Sequence, residues 1–429
     1  MRKRLTVLTV GCKSSFADSA TLLRQASESG FEVVPDDQPA DVVFISGCTV
    51  THRADRDNRA LARRARRKNP HAVLVMTGCF PATASSETRE GLPEIDHWLP
   101  TGGDGALPLL RLLSSGFEPG EAISDYRADR ILGHKRTFLK IQDGCDSRCA
   151  YCVVPLARGG HRSFPADEIV DGAIASEKDG ATEFLLTGIH IGRYGSDRNE
   201  PDGLADLTRR LLEKTFRPRI RLGSIEPLEI SPALLSLFQA TDRLCPHLHI
   251  PLQSGSDRVL ERMRRPYSAG QFAEAVARVR ETAPLARIGA DVMAGFPGET
   301  EEDFAETTSL VERAGIDYLH VFPYSARPGT ESSRWPDDVS EASKKDRVSQ
   351  LNRIDVKIRE RFLSRQIGRT LTVLVQRTHP DSGMVSGISE YGVDVRLPGE
   401  DDSLCRMVPV LIESAAGGWL LGRPGVPIA

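Results

Sequence analysis

The stretch Phe138-Leu-Lys-Ile-Gln-Asp-Gly-Cys145-Asp-Ser-Arg-Cys149-Ala-Tyr-Cys152 decides how the middle of this chain folds. It predicts a strand at 138–142 that leads directly into a loop with three cysteines. Three thiolates on one tight loop can bind three irons of a 4Fe-4S cluster and leave the fourth iron open to another ligand. A structural zinc site is the alternative, and it needs a fourth protein ligand such as His134 or His161.

The strand at 138–142 begins a pattern that repeats along the centre of the chain. Short apolar runs alternate with helical stretches such as 165–178, which has Pro165 at its first turn and Asp167 and Glu168 close behind. Six strand–helix repeats predict a barrel or partial barrel with its chemistry at the carboxyl ends of the strands. The predicted strands are 138–142, 183–187, 220–224, 247–250, 288–293 and 318–322.

A second set of cysteines lies nearer the N-terminus, in a pattern typical of an α/β domain with a parallel sheet. The predicted strands are 5–10, 42–46 and 72–76, and they end at Gly11-Cys12, Gly47-Cys48 and Gly78-Cys79. Because ligands bind beyond the carboxyl ends of parallel strands, we expect these three cysteines to converge on one site. The alternative is that they are buried apolar cysteines. Cys245 and Cys405 have no such neighbours and are expected to be structural.

Changes in composition divide the chain into three predicted domains. Residues 116–133 carry glycines, a proline and mixed charges without periodicity, which indicates a linker. After a charged helical stretch at 341–365, short strands broken by Gly, Pro and Asp predict a small all-β barrel. The predicted domains are an N-terminal α/β domain at 1–115, a central barrel at 134–366 and a C-terminal barrel at 367–429.

Length and composition set limits on the class of protein. A chain of 429 residues suggests about three domains of roughly 150 residues. Hydrophobic residues make up 40% and charged residues 27%, as in ordinary globular proteins. Eight cysteines are too few for a secreted disulfide scaffold, so we expect a reducing cytosol. No apolar run is long enough for a membrane span, so no membrane partner is expected.

The formal net charge of -3 gives no argument for a nucleic-acid partner, but the charge is uneven. Residues 51–70 hold eight Lys or Arg against two Asp, whereas the segment from Ile367 onward has a net charge of -2. A basic stripe at helical spacing can neutralise RNA phosphates, although a solvated helix face is an equally good interpretation. The stripe consists of Arg56, Arg59, Arg63, Arg66 and Arg67.

The loop motif resembles that of the radical S-adenosylmethionine superfamily, in which three cysteines follow the first strand of a βα barrel. The resemblance implies that the open iron of a cluster held by Cys145, Cys149 and Cys152 binds the amino and carboxylate groups of S-adenosylmethionine. It also implies that Tyr151 contacts the adenine of that cofactor. Thr187, Gly188 and Glu226 fall at predicted strand ends, where they are expected either to line the cofactor pocket or to serve as turn and capping residues.

Motifs along nearly the whole chain are similar to those of the methylthiotransferase family. The resemblance implies an auxiliary 4Fe-4S cluster on Cys12, Cys48 and Cys79, a radical domain with the second cluster, and a C-terminal TRAM domain, which is a small OB-like barrel. An open iron of the auxiliary cluster is the attachment point that a sulfur donor requires. The motifs are Val10-Gly11-Cys12-Lys13, Gly47-Cys48-Thr49-Val50-Thr51, Thr77-Gly78-Cys79, Pro155-Leu-Ala-Arg158-Gly159, Pro251-Leu-Gln-Ser-Gly-Ser256, Gly295-Phe-Pro-Gly-Glu299 and Tyr324-Ser-Ala-Arg-Pro-Gly-Thr330.

The family resemblance also implies a reaction. One S-adenosylmethionine methylates sulfur on the auxiliary cluster, and a second is cleaved to a 5′-deoxyadenosyl radical that removes hydrogen from the substrate. An unactivated aromatic C–H requires such a cofactor, because acid–base or nucleophilic chemistry cannot thiolate it.

The segment Leu186-Thr-Gly-Ile-His-Ile-Gly-Arg-Tyr-Gly195 is most similar to the branch that acts on threonylcarbamoyladenosine in tRNA. Carbon 2 of the adenine just 3′ of the anticodon is then the expected target. The alternatives are isopentenyladenosine in tRNA, an aspartate of a ribosomal protein, and, from another class, a non-catalytic metal-containing RNA-binding module. Expected partners are the anticodon loop of tRNA, an electron donor such as flavodoxin or ferredoxin, and a sulfur donor, all in the cytoplasm.

Overall fold

A computed structural model of the protein describes residues 2–100, 106–114 and 122–425. The chain divides into two compact units, each of which is described by itself. The first unit comprises residues 1–200, 213–216 and 325–333, and the second comprises 201–212, 217–324 and 334–429. Among the described residues, no helix is both long and apolar enough to cross a membrane.

The first unit begins with a parallel sheet of five strands in the order β2-β1-β3-β4-β5. The central strands are mostly buried and rich in Val, as expected when helices cover both faces of a sheet. The predicted strands at 5–10, 42–46 and 72–76 are present. The strands are β1 (Arg4–Thr9), β2 (Glu32–Val33), β3 (Val42–Gly47), β4 (Val73–Gly78) and β5 (His97–Pro100), and the helices are α1 (Lys13–Glu28), α2 (His52–Lys68), α3 (Cys79–Thr83), α4 (Ser86–Glu90), α5 (Leu107–Leu113) and α6 (Asp125–Ile131).

The predicted linker at 116–133 differs from the structure. Residues 116–121 lie outside the described residues, but the remainder contains α6. Ser124 caps this helix by accepting the N–H of Arg127, and Ala128 belongs to the apolar core of the N-terminal sheet. Asp129 is fully buried and accepts the N–H of Phe138 at 2.9 Å. A helix of seven residues shows too little periodicity to be recognised from sequence.

The first unit continues with the strand that leads into the cysteine loop. β6 (Thr137–Lys140) pairs in parallel with β9 (Glu183–Thr187), and β7 (Gln142–Asp143) pairs antiparallel with β8 (Arg162–Ser163). The helices are α7 (Val154–Arg158) and α8 (Ala166–Lys178), and α8 starts directly after Pro165 as predicted.

The second unit has a parallel sheet of three strands in the order β11-β12-β13. Its elements complete the six predicted strands of the α/β barrel domain. The strands are β10 (Arg219–Leu222), β11 (His247–His249), β12 (Arg287–Ala294) and β13 (Tyr318–Pro323), and the helices are α9 (Gly203–Lys214), α10 (Pro232–Ala240), α11 (Asp257–Arg262), α12 (Ala269–Thr282), α13 (Glu301–Arg313) and α14 (Glu341–Ser364).

The C-terminal segment forms a small closed barrel in the order β14-β15-β16-β18-β17. Alternate residues point inward, and the core is mostly Val and Leu. The last strand was not predicted, and it follows the turn at Gly417 and Gly418, which both have positive φ. The strands are β14 (Thr370–His379), β15 (Met384–Ser389), β16 (Asp394–Pro398), β17 (Met407–Ala416) and β18 (Trp419–Pro424).

Arginines on β10 and at the start of β12 fix this small barrel within the second unit. Arg221 donates to the carbonyls of Glu390 and Ser389, both at 2.9 Å. Arg219 donates to Thr372 O and Ile388 O, and Arg287 to Gly392 O. Burial lowers the pKa of Arg287 to about 10. Backbone carbonyls therefore satisfy guanidinium groups that would otherwise be costly to bury.

Candidate functional site

Three cysteines follow three neighbouring strands of the N-terminal sheet. β1, β3 and β4 pair side by side, so their carboxyl ends meet at one edge. Cys12 precedes α1, Cys48 follows β3 and Cys79 opens α3. A Cβ on Gly11 would lie 2.9 Å from the Cβ of Cys48, and Gly78 has a φ of +91°. The glycine before each cysteine thus permits a close approach of the three segments, which we call the strand-end set.

Burial disfavours the thiolate form of the buried cysteines in the strand-end set unless a positive charge lies nearby. It raises the pKa of Cys79 to about 11; Arg158 opposes this, whereas the charges of Cys12 and Cys48 add to it. Burial also raises the pKa of Cys48, and Cys12 again contributes. Thiolates are the form that binds metal, so the three sulfurs suit a strongly positive centre such as a group of iron ions. Cys12 is exposed, which leaves one side of the set accessible.

Arg158, at the end of α7, connects the strand-end set with the rest of the first unit. Its side chain is only 2% exposed. Nε donates to Sγ of Cys79 at 3.1 Å, Nη1 donates to Asp143 at 3.0 Å, and Nη2 donates to Asp18 at 2.9 Å. Lys140 pairs with the same two carboxylates. Two cations therefore balance two carboxylates, and one N–H of Arg158 is held against a cysteine sulfur.

The loop from Cys145 to Cys152 contains the other three cysteines, which we call the loop set. Sγ of Cys145 lies 3.5 Å from Nδ1 of His190 and 3.4 Å from the N–H of Ser147. Burial raises the pKa of Cys145, but these hydrogen bonds outweigh it and the pKa lies below the ordinary value. All three cysteines are partly exposed. The loop therefore favours a thiolate at Cys145 and leaves its sulfurs within reach of a ligand.

Gln142, which the sequence interpretation missed, organises the start of this loop. Its side chain is fully buried. Oε1 accepts the N–H groups of Ile189 and His190 at 2.9 and 2.7 Å, and Nε2 donates to the carbonyl of Gly144 at 2.6 Å. The residue before Cys145 is thus joined to the turn after β9. The sequence feature that could have identified Gln142 is a polar residue at the end of a predicted apolar strand.

The predicted cofactor residues occupy turns and strand ends. Thr187 ends β9, and its carbonyl accepts the N–H of Ile141 at 2.9 Å. A Cβ on Gly188 would lie 2.8 Å from the carbonyl oxygen of Gln142, so this position requires glycine. Tyr151 lies partly exposed in the cysteine loop. Glu226, in the second unit, pairs with Arg265. Contact of these four residues with a cofactor stays a prediction.

The histidines considered as zinc ligands are engaged elsewhere. Nδ1 of His161 lies 3.0 Å from Nε2 of Gln142, and its other nitrogen lies 3.3 Å from Ser163. His134 packs against Phe16 and Phe138, and burial lowers its pKa to about 4. Within residues 2–100, 106–114 and 122–425, one trio of metal-ligating side chains has its ligand atoms within 4.8 Å of one another, and it contains no cysteine. The contacts of His161 and His134 therefore give no support to a zinc site completed by either histidine.

Helix α2 carries the basic stripe next to Cys48. Leu61 and Ala65 are buried on its inner face, and Thr51 caps its start. Arg66 differs from the other members of the stripe, because it donates to the carbonyl of Ala72 at 2.7 Å and to Asp96 at 2.8 Å. These bonds attach the helix to its own domain. The guanidinium of Arg66 is therefore less available to RNA than those of the other four arginines. The exposed members are Arg56, Arg59, Arg63 and Arg67.

Comparison with known proteins identifies the family. Residues 139–311 match the radical SAM superfamily, and residues 4–100 match the uncharacterized protein family UPF0004. The threonylcarbamoyladenosine tRNA methylthiotransferase MtaB of Aquifex aeolicus is 36% identical over 86% of this chain and 91% of its own length. The chain belongs to the radical SAM methylthiotransferase family. Its MtaB relative in Bacillus subtilis is 32% identical over 95% of this chain and 93% of that protein.

Other methylthiotransferases, named for different substrates, also match this chain. They include a tRNA-2-methylthio-N(6)-dimethylallyladenosine synthase and a ribosomal protein uS12 methylthiotransferase. Among solved structures, the radical S-adenosylmethionine methyltransferase TsrM of Kitasatospora setae has a TM-score of 0.58 at 14% identity, covering 90% of this chain and 81% of that one. This likeness confirms the α/β fold class. The family membership is secure, whereas the substrate is a separate question.

Proposed function

We propose that this enzyme transfers a methylthio group to carbon 2 of threonylcarbamoyladenosine, on the 3′ side of the anticodon of tRNA. The observation that carries the proposal is the strand-end set, a second group of three cysteines besides the loop set. A radical enzyme that only cleaves S-adenosylmethionine needs one such group. The names of the relatives from Aquifex aeolicus and Bacillus subtilis favour this substrate.

Each cysteine set would hold one 4Fe-4S cluster through three thiolates, with the fourth iron open. The loop set would bind S-adenosylmethionine, assisted by Tyr151, Thr187 and Gly188, and contact of Glu226 with the cofactor stays a prediction. When bound, these groups supply the radical that breaks the C–H bond of the adenine and the sulfur that forms the new C–S bond. The side chains of Gln142 and His190 position the loop cysteines, and Arg158 positions Cys79.

The protein's own contribution is position and exclusion of water. Cys48 and Cys79 are buried, so two of the three strand-end ligands are shielded from solvent. Cys12 is exposed, so this side of the set is open to solvent. An exposed ligand beside two buried ones gives a sulfur donor and the substrate one direction of approach.

Mass spectrometry of the nucleosides in total tRNA tests the substrate. A deletion strain is expected to lose the 2-methylthio-threonylcarbamoyl nucleoside and accumulate its precursor, and the restored gene should reverse both changes. Loss of a methylthio-isopentenyl nucleoside instead, or of the modified ribosomal-protein aspartate, would assign the enzyme to another branch. If no methylthio product changes, the proposed activity is wrong.

The proposed partners follow from the reaction. The anticodon loop of tRNA would be the substrate, an electron donor such as flavodoxin or ferredoxin would supply electrons at the loop set, and a sulfur donor would supply sulfur at the strand-end set. All of these are found in the cytoplasm, where we place the enzyme. The exposed arginines of α2 lie on the helix that follows Cys48, so they are suited to contact tRNA phosphates near the reacting sulfur.

Replacement of Arg59, Arg63 and Arg67 by Ser should weaken tRNA binding and reduce its dependence on salt. Each phosphate contact contributes about 0.7 to the slope of log affinity against log salt for a single strand, so the slope should fall by up to about 2. Fluorescence anisotropy at several salt concentrations measures both quantities. Arg278→Ser, on the exposed face of α12, is the control. An unchanged slope would leave these arginines as a solvated helix face.

A further inference from the structure

One face of the sheet in the second unit carries polar side chains on three adjacent strands. His249 is in register with Gly289, Gly289 with Tyr318, and Asp291 with His320. Because side chains alternate along a strand, His247, His249, Asp291, Tyr318 and His320 share this side, which we call the polar face. The opposite side carries Leu248, Ile288, Ala290 and Leu319, which are all buried in apolar packing.

Hydrogen bonds join the polar face into one network. The hydroxyl of Tyr318 lies 2.8 Å from Nε2 of His247 and 3.1 Å from Nδ1 of His249. Nε2 of His249 lies 2.9 Å from Oδ1 of Asp291, and Nδ1 of His320 lies 3.3 Å from the same oxygen. A Cβ on Gly289 would lie 2.0 Å from the ring of Tyr318, so glycine is required for this arrangement.

The solvent exposure of the side chains increases along the network from His249 to His320. The side chains of His249, Asp291 and His320 are 9%, 26% and 59% exposed. Burial raises the pKa of Asp291, but hydrogen bonds from His249 and His320 outweigh it and keep the carboxyl ionised. Burial raises the pKa of Tyr318 to about 12, so its hydroxyl stays neutral. The buried residues thus hold a carboxylate and an imidazole in place at the accessible end.

We propose that the polar face binds the N6 substituent of the substrate adenosine, with Asp291 as hydrogen-bond acceptor and His320 as donor. The inference rests on the proposed function and specifies how its substrate is recognised. A threonylcarbamoyl group has N–H and O–H donors for the second oxygen of Asp291, and its carboxylate accepts from Nε2 of His320 in the form that carries a proton on both ring nitrogens. A dimethylallyl group has neither, and it would desolvate the second oxygen of Asp291 without giving that oxygen a donor.

Both members of this pair lie within strands of the sheet. His249 is the last residue of β11, and the chain continues into the loop beyond that strand. Asp291 and His320 lie on the adjacent strands, so rigid sheet rather than loop holds the recognising groups. A site on rigid elements can discriminate by geometry, since it does not relax to fit the wrong substituent.

Binding of three anticodon stem-loop RNAs to the reconstituted holoenzyme tests the inference. The RNAs differ only in the N6 substituent of the target adenosine, which is threonylcarbamoyl, dimethylallyl or hydrogen. The wild type should prefer the first. Asp291→Asn and His320→Ala should each reduce that preference about tenfold or more while affinity for the unsubstituted RNA is retained. His379→Ala, in the C-terminal barrel, is the matched control and should retain the preference.

The possible outcomes separate the inference from the function on which it rests. A wild-type preference for the dimethylallyl RNA would overturn both. Preference for threonylcarbamoyl that persists in both variants would overturn only the role of the polar face, as would equal weakening for all three RNAs. A preference that disappears with EDTA would assign His249, Asp291 and His320 to a metal ion instead, because their ligand atoms lie within 4.8 Å of one another.

Discussion

Cys149→Ala should abolish formation of 5′-deoxyadenosine, whereas Cys48→Ala should preserve part of it and remove only the insertion of sulfur. Cys149 belongs to the loop set, where reductive cleavage of S-adenosylmethionine is proposed. Cys48 belongs to the strand-end set, where the sulfur is proposed to be held. Chromatography of anaerobic reactions with tRNA measures 5′-deoxyadenosine and the methylthio nucleoside in the same samples.

Iron content shows whether each variant has lost the intended cluster. The wild type should hold about eight irons and each variant about four, because three thiolates hold each four-iron cluster. Cys405→Ala, in the C-terminal barrel, is the control and should keep both products. Equal loss of cleavage in Cys48→Ala and Cys149→Ala would contradict separate roles for the two sets. One zinc and no cleavage in the wild type would contradict the enzyme itself.

The features that sequence predicted well are periodic or local. Runs of β-branched residues marked β1, β3 and β4, and each run ended in Gly-Cys. Strand direction then placed all three cysteines at one edge of the sheet, because parallel strands end on the same side. In the radical SAM domain, β9 is a largely apolar run of this kind, whereas β11 and β13 alternate polar and apolar residues.

The features that sequence missed depend on partners far apart in the chain. Nothing in Pro155-Leu-Ala-Arg158-Gly159 shows that Arg158 bonds to Cys79, or that its two other donors reach Asp18 and Asp143. Arg66 follows the same helical spacing as four exposed arginines. The three-dimensional structure shows that it donates to backbone carbonyls outside the helix, which the sequence does not show. The spacing of side chains predicts which residues share one face of a helix. Whether an arginine on that face can bind RNA depends on the groups that pack against it in the fold.

Arg158→Gln should lower the reduction potential of the strand-end cluster by about 60 mV, a tenfold change in a one-electron equilibrium. Nε of Arg158 donates to Sγ of Cys79, and such donors stabilise the reduced, more negative state of a cluster. Glutamine lacks the positive charge of the guanidinium and its fork of N–H donors. The measurement is an EPR-monitored redox titration in a Cys145→Ala, Cys149→Ala, Cys152→Ala background, which retains only the strand-end set.

Lys140→Gln separates the hydrogen bond on sulfur from the ion pairs around it. Lys140 shares Asp18 and Asp143 with Arg158, but its ammonium contacts these carboxylates rather than Cys79. If Arg158 acts through the carboxylates, both variants should shift the potential alike. If it acts through sulfur, Arg158→Gln shifts the potential and Lys140→Gln leaves it close to wild type. If Arg158→Gln keeps its full iron content and its reduction potential is unchanged, Arg158 does not tune the cluster. Its role would then be structural, through its contacts with Cys79, Asp18 and Asp143.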